Sequence, residues 1–131
     1  MWVDAAGASS AGDAVGGIAD RGGRPWVVGH LQRVGAFGLF DVIATGDEVA
    51  GHKPDPAIYL LALERLGLPG TATAAVEDTP HGVAAAAAAG MATIAIPNPY
   101  VPTDSLTAAD LVLRSASELP LSEAMLAVST V

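Results

Sequence analysis

Cysteine is absent from this 131-residue chain, which excludes a disulfide framework and any thiolate-bound metal. Positive charge is scarce: Lys and Arg together number 6 against 14 Asp and Glu, for a net charge of −8. Nucleic acid and anionic membrane surfaces are therefore disfavoured as partners, because phosphate-rich surfaces require a basic footprint. No apolar run reaches the roughly 18 residues needed to span a bilayer, and no basic stretch followed by an apolar one opens the chain. A soluble, cytoplasmic protein is expected. Charged residues make up only 15% and hydrophobic ones 51%, the balance of a globular chain. The length allows one domain with a real core, small for a complete doubly wound enzyme.

What is present begins near Arg24. Met1 to Gly23 is rich in Gly, Ala, Ser and Asp without helical or strand periodicity, so 1–23 reads as an irregular, flexible segment. Met1-Trp2-Val3 can add at most a short strand. From Pro25, Trp26, Val27, His30, Leu31 and Val34 recur at helical spacing, and Gly35 ends the helix. Phe40–Thr45 is a strand, Pro56–Leu66 a helix closed by Gly67, and Ala74–Glu77 a buried strand. Pro80 then opens an alanine-rich helix that Gly90 closes. Ala92–Ile96 and Leu111–Leu113 are further short strands, and Ser117 is placed to cap a terminal helix. Short apolar strands alternating with helices imply an α/β fold: a three-layer Rossmann-like parallel sheet with helices on both faces.

Two stretches carry chemistry. Glu77 and Asp78 end a strand beside a helix N-terminus, where α/β proteins bind ligands. Adjacent carboxylates repel unless a cation or proton lies between them, and a hard, oxygen-loving ion such as Mg²⁺ suits them. Lys53, the only lysine, stands in the proline-flanked loop Gly51-His52-Lys53-Pro54-Asp55-Pro56. An ammonium there can neutralise a phosphate while the acids hold the metal, the division of labour of phosphoryl transfer. The remaining polar residues have blander readings. His30, His52 and His81 lack metal-ligand spacing; Asp47 and Glu48 follow a strand as turn residues, and Asp104-Ser105 is an ordinary cap.

Together, Phe40-Asp41-Val42-Ile43, Lys53-Pro54-Asp55-Pro56-Ala57-Ile58-Tyr59 and Val76-Glu77-Asp78-Thr79-Pro80-His81-Gly82-Val83 resemble the haloacid dehalogenase-like (HAD) hydrolase superfamily. The nearest branch is that of the β-phosphoglucomutase-like phosphatases and phosphomutases. The resemblance runs from Trp26 to Leu119, so that 24–131 reads as a partial HAD-like core domain. It implies a Mg²⁺-dependent phosphohydrolase or phosphomutase acting on a small phosphorylated metabolite, a sugar phosphate by class. Lys53 matches the third-motif lysine, which holds the substrate phosphate and the acyl-phosphate intermediate and makes Lys53 the catalytic candidate. Glu77 and Asp78 match the Mg²⁺-binding fourth motif, with Asp78 the direct ligand.

The departures bear on activity. The family opens with a strand ending in Asp-x-Asp-Gly, follows it with a helical cap, then a strand ending in a phosphate-binding Ser or Thr. Here no cap precedes Trp26. Met1-Trp2-Val3-Asp4-Ala5-Ala6-Gly7 echoes the first motif with Ala6 in place of the acid-base Asp, and Asp4 reads as a coincidental loop carboxylate. Ala8-Ser9-Ser10 echoes the second motif, but Ala11–Gly23 spoils its register, and 1–23 reads as sequence foreign to the family, as a truncated or frame-disturbed gene would give. The nucleophile strand and cap are thus expected to be missing. An empty central slot would leave backbone groups unpaired, so rearrangement or self-association through the incomplete sheet is expected. The alternative to an enzyme is a non-catalytic Mg²⁺- or phosphate-binding module derived from one.

Overall fold

The computed structural model describes residues 2–5, 16–115, 118, 123–124 and 127–128. Six strands form one sheet: β1 (Trp2–Ala5), β2 (Gly16–Asp20), β3 (Val42–Thr45), β4 (Thr73–Glu77), β5 (Ala92–Ala95) and β6 (Leu111–Val112). Their order across the sheet is β3-β2-β1-β4-β5-β6. β2 runs parallel to β3, and β4 to β5 and β6, while β1 is antiparallel to both its neighbours. Five strands therefore share one direction and the short central one opposes them.

Side-chain alternation along the strands divides the core between the two faces. Ala19, Ala44 and Ala75 meet α2 (Ala57–Leu66) and α3 (Pro80–Ala88) through Ile58, Tyr59, Ala62, Ala85 and Ala86. The neighbouring positions Ile18 and Ile43 face the other way, against Val27 and Leu31 of α1 (Arg24–Arg33). Ala74 and Ile94 pack on that second face with Ala124 and Val128. Small alanines on both α3 and the strands let this helix lie close to the sheet. The expected α/β architecture with helices on both faces is thus present. None of the described helices is long and apolar enough to cross a membrane. Ser117 lies outside the described residues, as do residues 6–15 with the Ala8-Ser9-Ser10 echo.

Three expectations need correction. Residues 1–23 are not irregular throughout, because Trp2–Ala5 and Gly16–Asp20 are strands. β2 escapes sequence reading because its order comes from its neighbours, not from propensity. The Asp41 N–H donates to the Gly16 carbonyl at 2.7 Å, and the Asp41 carboxylate accepts from the Gly16 N–H at 2.8 Å. A Cβ on Gly17 would meet Val42 Cγ2 at 2.5 Å, so the residue that weakens the strand signal is the one the packing requires. The central slot is also not empty: β1 pairs on both sides, which closes the opening expected to admit a second chain. Finally, helix α1 has a narrower apolar face than its sequence spacing suggests. Val27 and Leu31 are buried, but Trp26 and Val34 are exposed, and Trp26 stacks on His30 with ring centroids 5.3 Å apart.

Asp47 and Glu48, just after β3, tie the chain together at that strand's carboxyl end. Glu48 closes a capping box with Thr45 and pairs with Arg24 and Arg65, and Asp47 accepts from the Arg24 N–H and the Thr45 hydroxyl. The Arg65 hydrogen bond is the main reason that the Glu48 carboxyl falls from its ordinary 4.5 to about 2. The Thr45 hydroxyl likewise lowers Asp47.

Candidate functional site

The carboxyl ends of β2 and β4 border a cavity of about 540 Å³, lined by Asp20, Arg21, His52, Lys53, Glu77, Asp78, Thr79 and His81 among others. The chain thus brings Lys53, Glu77 and Asp78 together, as expected of a crevice at the carboxyl edge of a parallel arrangement.

The two adjacent acids have different surroundings. Glu77 is 2% exposed. Its Oε2 accepts from Lys53 Nζ at 2.7 Å and from the Tyr59 hydroxyl. Its Oε1 lies over Gly82, where any Cβ would overlap the carboxylate. Burial, with the Glu77 charge adding to it, pushes the Tyr59 phenol far above the ordinary tyrosine value. Tyr59 therefore stays protonated and serves as the donor. Lys53 sits 4.9 Å from the Tyr59 ring centroid and gives a second hydrogen bond to the Ala19 carbonyl at 3.3 Å. Of the three ammonium donors, two are spent within the protein and one remains for the cavity.

Asp78 is half-buried and lines the cavity. Its Oδ2 accepts from Asn98 Nδ2 at 3.0 Å, and Asn98 is oriented by the Tyr100 N–H on its Oδ1 at 2.8 Å. Thr79 caps α3 by accepting from the Gly82 N–H at 3.1 Å, which starts the helix beside the cavity. His52 and His81 are exposed at the rim.

The resemblance assigns Glu77 and Asp78 to the metal-binding motif with Asp78 as the direct ligand, and the geometry gives the two acids different surroundings. Glu77 is committed to Lys53 and Tyr59 as a counter-ion, whereas Asp78 has an oxygen left over. Asp20 also lines the cavity, with Oδ1 taken by the Gly22 N–H at 2.8 Å. One or two carboxylate oxygens, with the rest supplied by water and phosphate, are the usual donor set of Mg²⁺. Asp78 fits that role. Among the described residues no cluster of three or more metal-ligating side chains exists. Three carboxylates border the cavity against two cations, Arg21 and Lys53, so a phosphate is better accommodated when a cation accompanies it.

Asp4 is not part of this site. It lies in register with Gly16 and Ala74, whereas the cavity is at Asp20 and Glu77, about 10 Å further along the strands. Sequence reasoning missed Asp20, Arg21, Tyr59 and Asn98 as site residues. The signal for Tyr59 and Asn98 was present in their place beside the matched motifs. Asp20 and Arg21 required β2, which no periodicity revealed.

Comparison with known proteins gives a consistent result. The sequence profile of the haloacid dehalogenase-like hydrolases matches residues 11–96. The match enters the segment read as foreign sequence, so that reading fails from residue 11 onward. The putative phosphatase YhcW of Bacillus subtilis (strain 168) is 39% identical over 105 residues, covering 80% of this chain and 48% of the relative. The protein CbbY of Rhodobacter capsulatus is 50% identical over 72 residues, 55% of this chain and 32% of the relative. A crystal structure of a CbbY variant from Rhodobacter sphaeroides, in complex with xylulose-(1,5)bisphosphate, superposes with a TM-score of 0.73 at 38% identity, covering 79% of this chain and 48% of that one. The chain spans about half the length of these relatives, or less.

Proposed function

The chain belongs to the haloacid dehalogenase-like hydrolase family, and from that premise we propose that its cavity holds the phosphate of a small phosphorylated metabolite in a Mg²⁺-dependent phosphohydrolase or phosphomutase. The observation that carries this reading is the Lys53–Glu77–Tyr59 cluster, which fixes one ammonium at the rim beside Asp78. In this reading Lys53 binds the phosphate and restrains it during transfer, and Glu77 and Tyr59 position Lys53. Charge neutralisation at the phosphate would be supplied by Mg²⁺ held at Asp78. A sugar phosphate is the substrate class, supported by the bisphosphate complex of the Rhodobacter sphaeroides relative. A cytoplasmic location accords with the charge and composition.

One observation favours a second reading, binding without turnover. Covalent phosphoryl transfer needs a carboxylate aligned with phosphorus. The strand between β2 and β4 runs antiparallel and carries Asp4 at the end away from the cavity. Phosphate release from an aryl phosphate with Mg²⁺, measured for the chain and for Lys53→Ala, Asp78→Asn, Asp20→Asn and Asp4→Ala, separates the readings. Turnover lost in Lys53→Ala and Asp78→Asn but kept in Asp4→Ala supports the hydrolase, and its loss in Asp20→Asn would identify the acting carboxylate. Saturable phosphate binding without release supports the binding module. Neither binding nor release would dismiss both.

A further inference from the structure

We infer that Arg21 is a second anion-binding residue of this cavity, holding a phosphate oxygen from the β2 side while Lys53 holds one from its own loop. The inference rests on the phosphate site proposed above and assigns it a residue outside the matched motifs. Charge supplies the first argument. Lys53 is already compensated by Glu77 at 2.7 Å. Arg24, Arg65 and Arg114 are each paired with a carboxylate. Among the described residues Arg21 and Arg33 form no ion pair, and of these two only Arg21 lines the cavity. In a chain of net charge −8, the uncompensated cation bordering the cavity among the described residues is therefore the Arg21 guanidinium.

Local construction supplies the second argument. Asp20 turns the chain by accepting from the Gly22 N–H at 2.8 Å, and the Gly22 carbonyl accepts from the Gly46 N–H at 3.1 Å. The Arg21 carbonyl lies so close over Gly46 that a Cβ there would overlap it. The Arg21 backbone is thus pinned at the rim on both sides while its side chain remains exposed. A fixed root with a free guanidinium suits bidentate capture of phosphate oxygens, a geometry that Lys cannot reproduce.

The test is calorimetric titration of the full chain with inorganic phosphate in the presence of Mg²⁺. Wild type, Arg21→Gln, Arg21→Lys and Lys53→Ala are compared, with Arg33→Gln as a control for the loss of one surface charge. Circular dichroism verifies that each variant is folded. Arg21→Gln is expected to weaken phosphate binding on the order of tenfold, as removal of a charge-assisted hydrogen bond does. Arg21→Lys should restore part of the loss, and Arg33→Gln should bind like wild type. Equal weakening in Arg21→Gln and Arg33→Gln would reduce the effect to net charge and overturn the inference. Undiminished binding in Arg21→Gln with loss in Lys53→Ala would overturn it while leaving the phosphate site intact. No binding by wild type would remove the site itself.

Discussion

At the carboxyl end of β4, Glu77 is sealed beneath Lys53, Tyr59 and Gly82, and Asp78 is braced by Asn98. At the carboxyl end of β2, across the same cavity, the Asp20 carboxylate accepts from the nearby Gly22 N–H, and Arg21 is exposed with no ion pair among the described residues. The β4 wall is preorganised: Glu77 is buried and paired with Lys53, and Asp78 is oriented by Asn98. The β2 wall fixes its backbone and leaves its charged ends uncommitted. Breaking a buried pair leaves an uncompensated charge, so substitutions that part Glu77 from Lys53 are expected to cost more stability than substitutions at Asp20 or Arg21.

The difference can be broken first at Gly82. Gly82→Ala places a methyl group in the Glu77 carboxylate, displaces it from Lys53 and Tyr59, and is expected to destabilise the fold by about 3 kcal/mol in chemical denaturation. Tyr59→Phe leaves the shape of the β4 wall but removes its buried donor to a charged group. A loss of about 2 kcal/mol is expected, with weakened phosphate binding as Lys53 loses its fixed counter-ion geometry.

Outside the cavity lining, Glu48→Gln keeps the capping box but loses two exposed arginine pairs, and should cost about 1 kcal/mol by thermal melting. The sign of its pH dependence follows from the lowered carboxyl. The native state prefers Glu48 ionised, so the contribution is fully present above pH 4.5 and is lost as pH falls towards about 2. The acid limb of the stability profile should be shallower in the variant over that window. The smallest effect is expected at Asp4. Asp4→Ala should leave phosphate binding unchanged, because the β1 register holds this residue at the opposite end of the sheet.

The same asymmetry explains what could be read from the sequence. The β4 wall is local: strand, acids, Thr79 cap, Pro80 and alanine helix follow one another, and Gly67 and Gly90 end their helices at φ 71° and 82° where the sequence places them. Lys53 stood out because it is the sole lysine. The β2 wall is non-local. Gly16-Gly17-Ile18-Ala19-Asp20 has no alternation that marks a strand, and becomes one through pairing with Val42–Thr45 and with residues 2–4. The reversed direction of β1 is equally a property of its partners. The fate of Glu77 was hidden for a related reason: two adjacent carboxylates look equivalent until Tyr59, eighteen positions away, claims one of them.

The most direct test of this division is a Mg²⁺ titration of the isotope-labelled chain followed by amide chemical shifts, in wild type and in Asp78→Asn. Saturable shifts are expected at Asp78, Thr79 and Asn98, with none at Asp47 and Glu48, and with their loss in Asp78→Asn. Saturable Mg²⁺ binding that survives Asp78→Asn unchanged would contradict the assignment of Asp78 as the metal-holding acid and Glu77 as the counter-ion of Lys53.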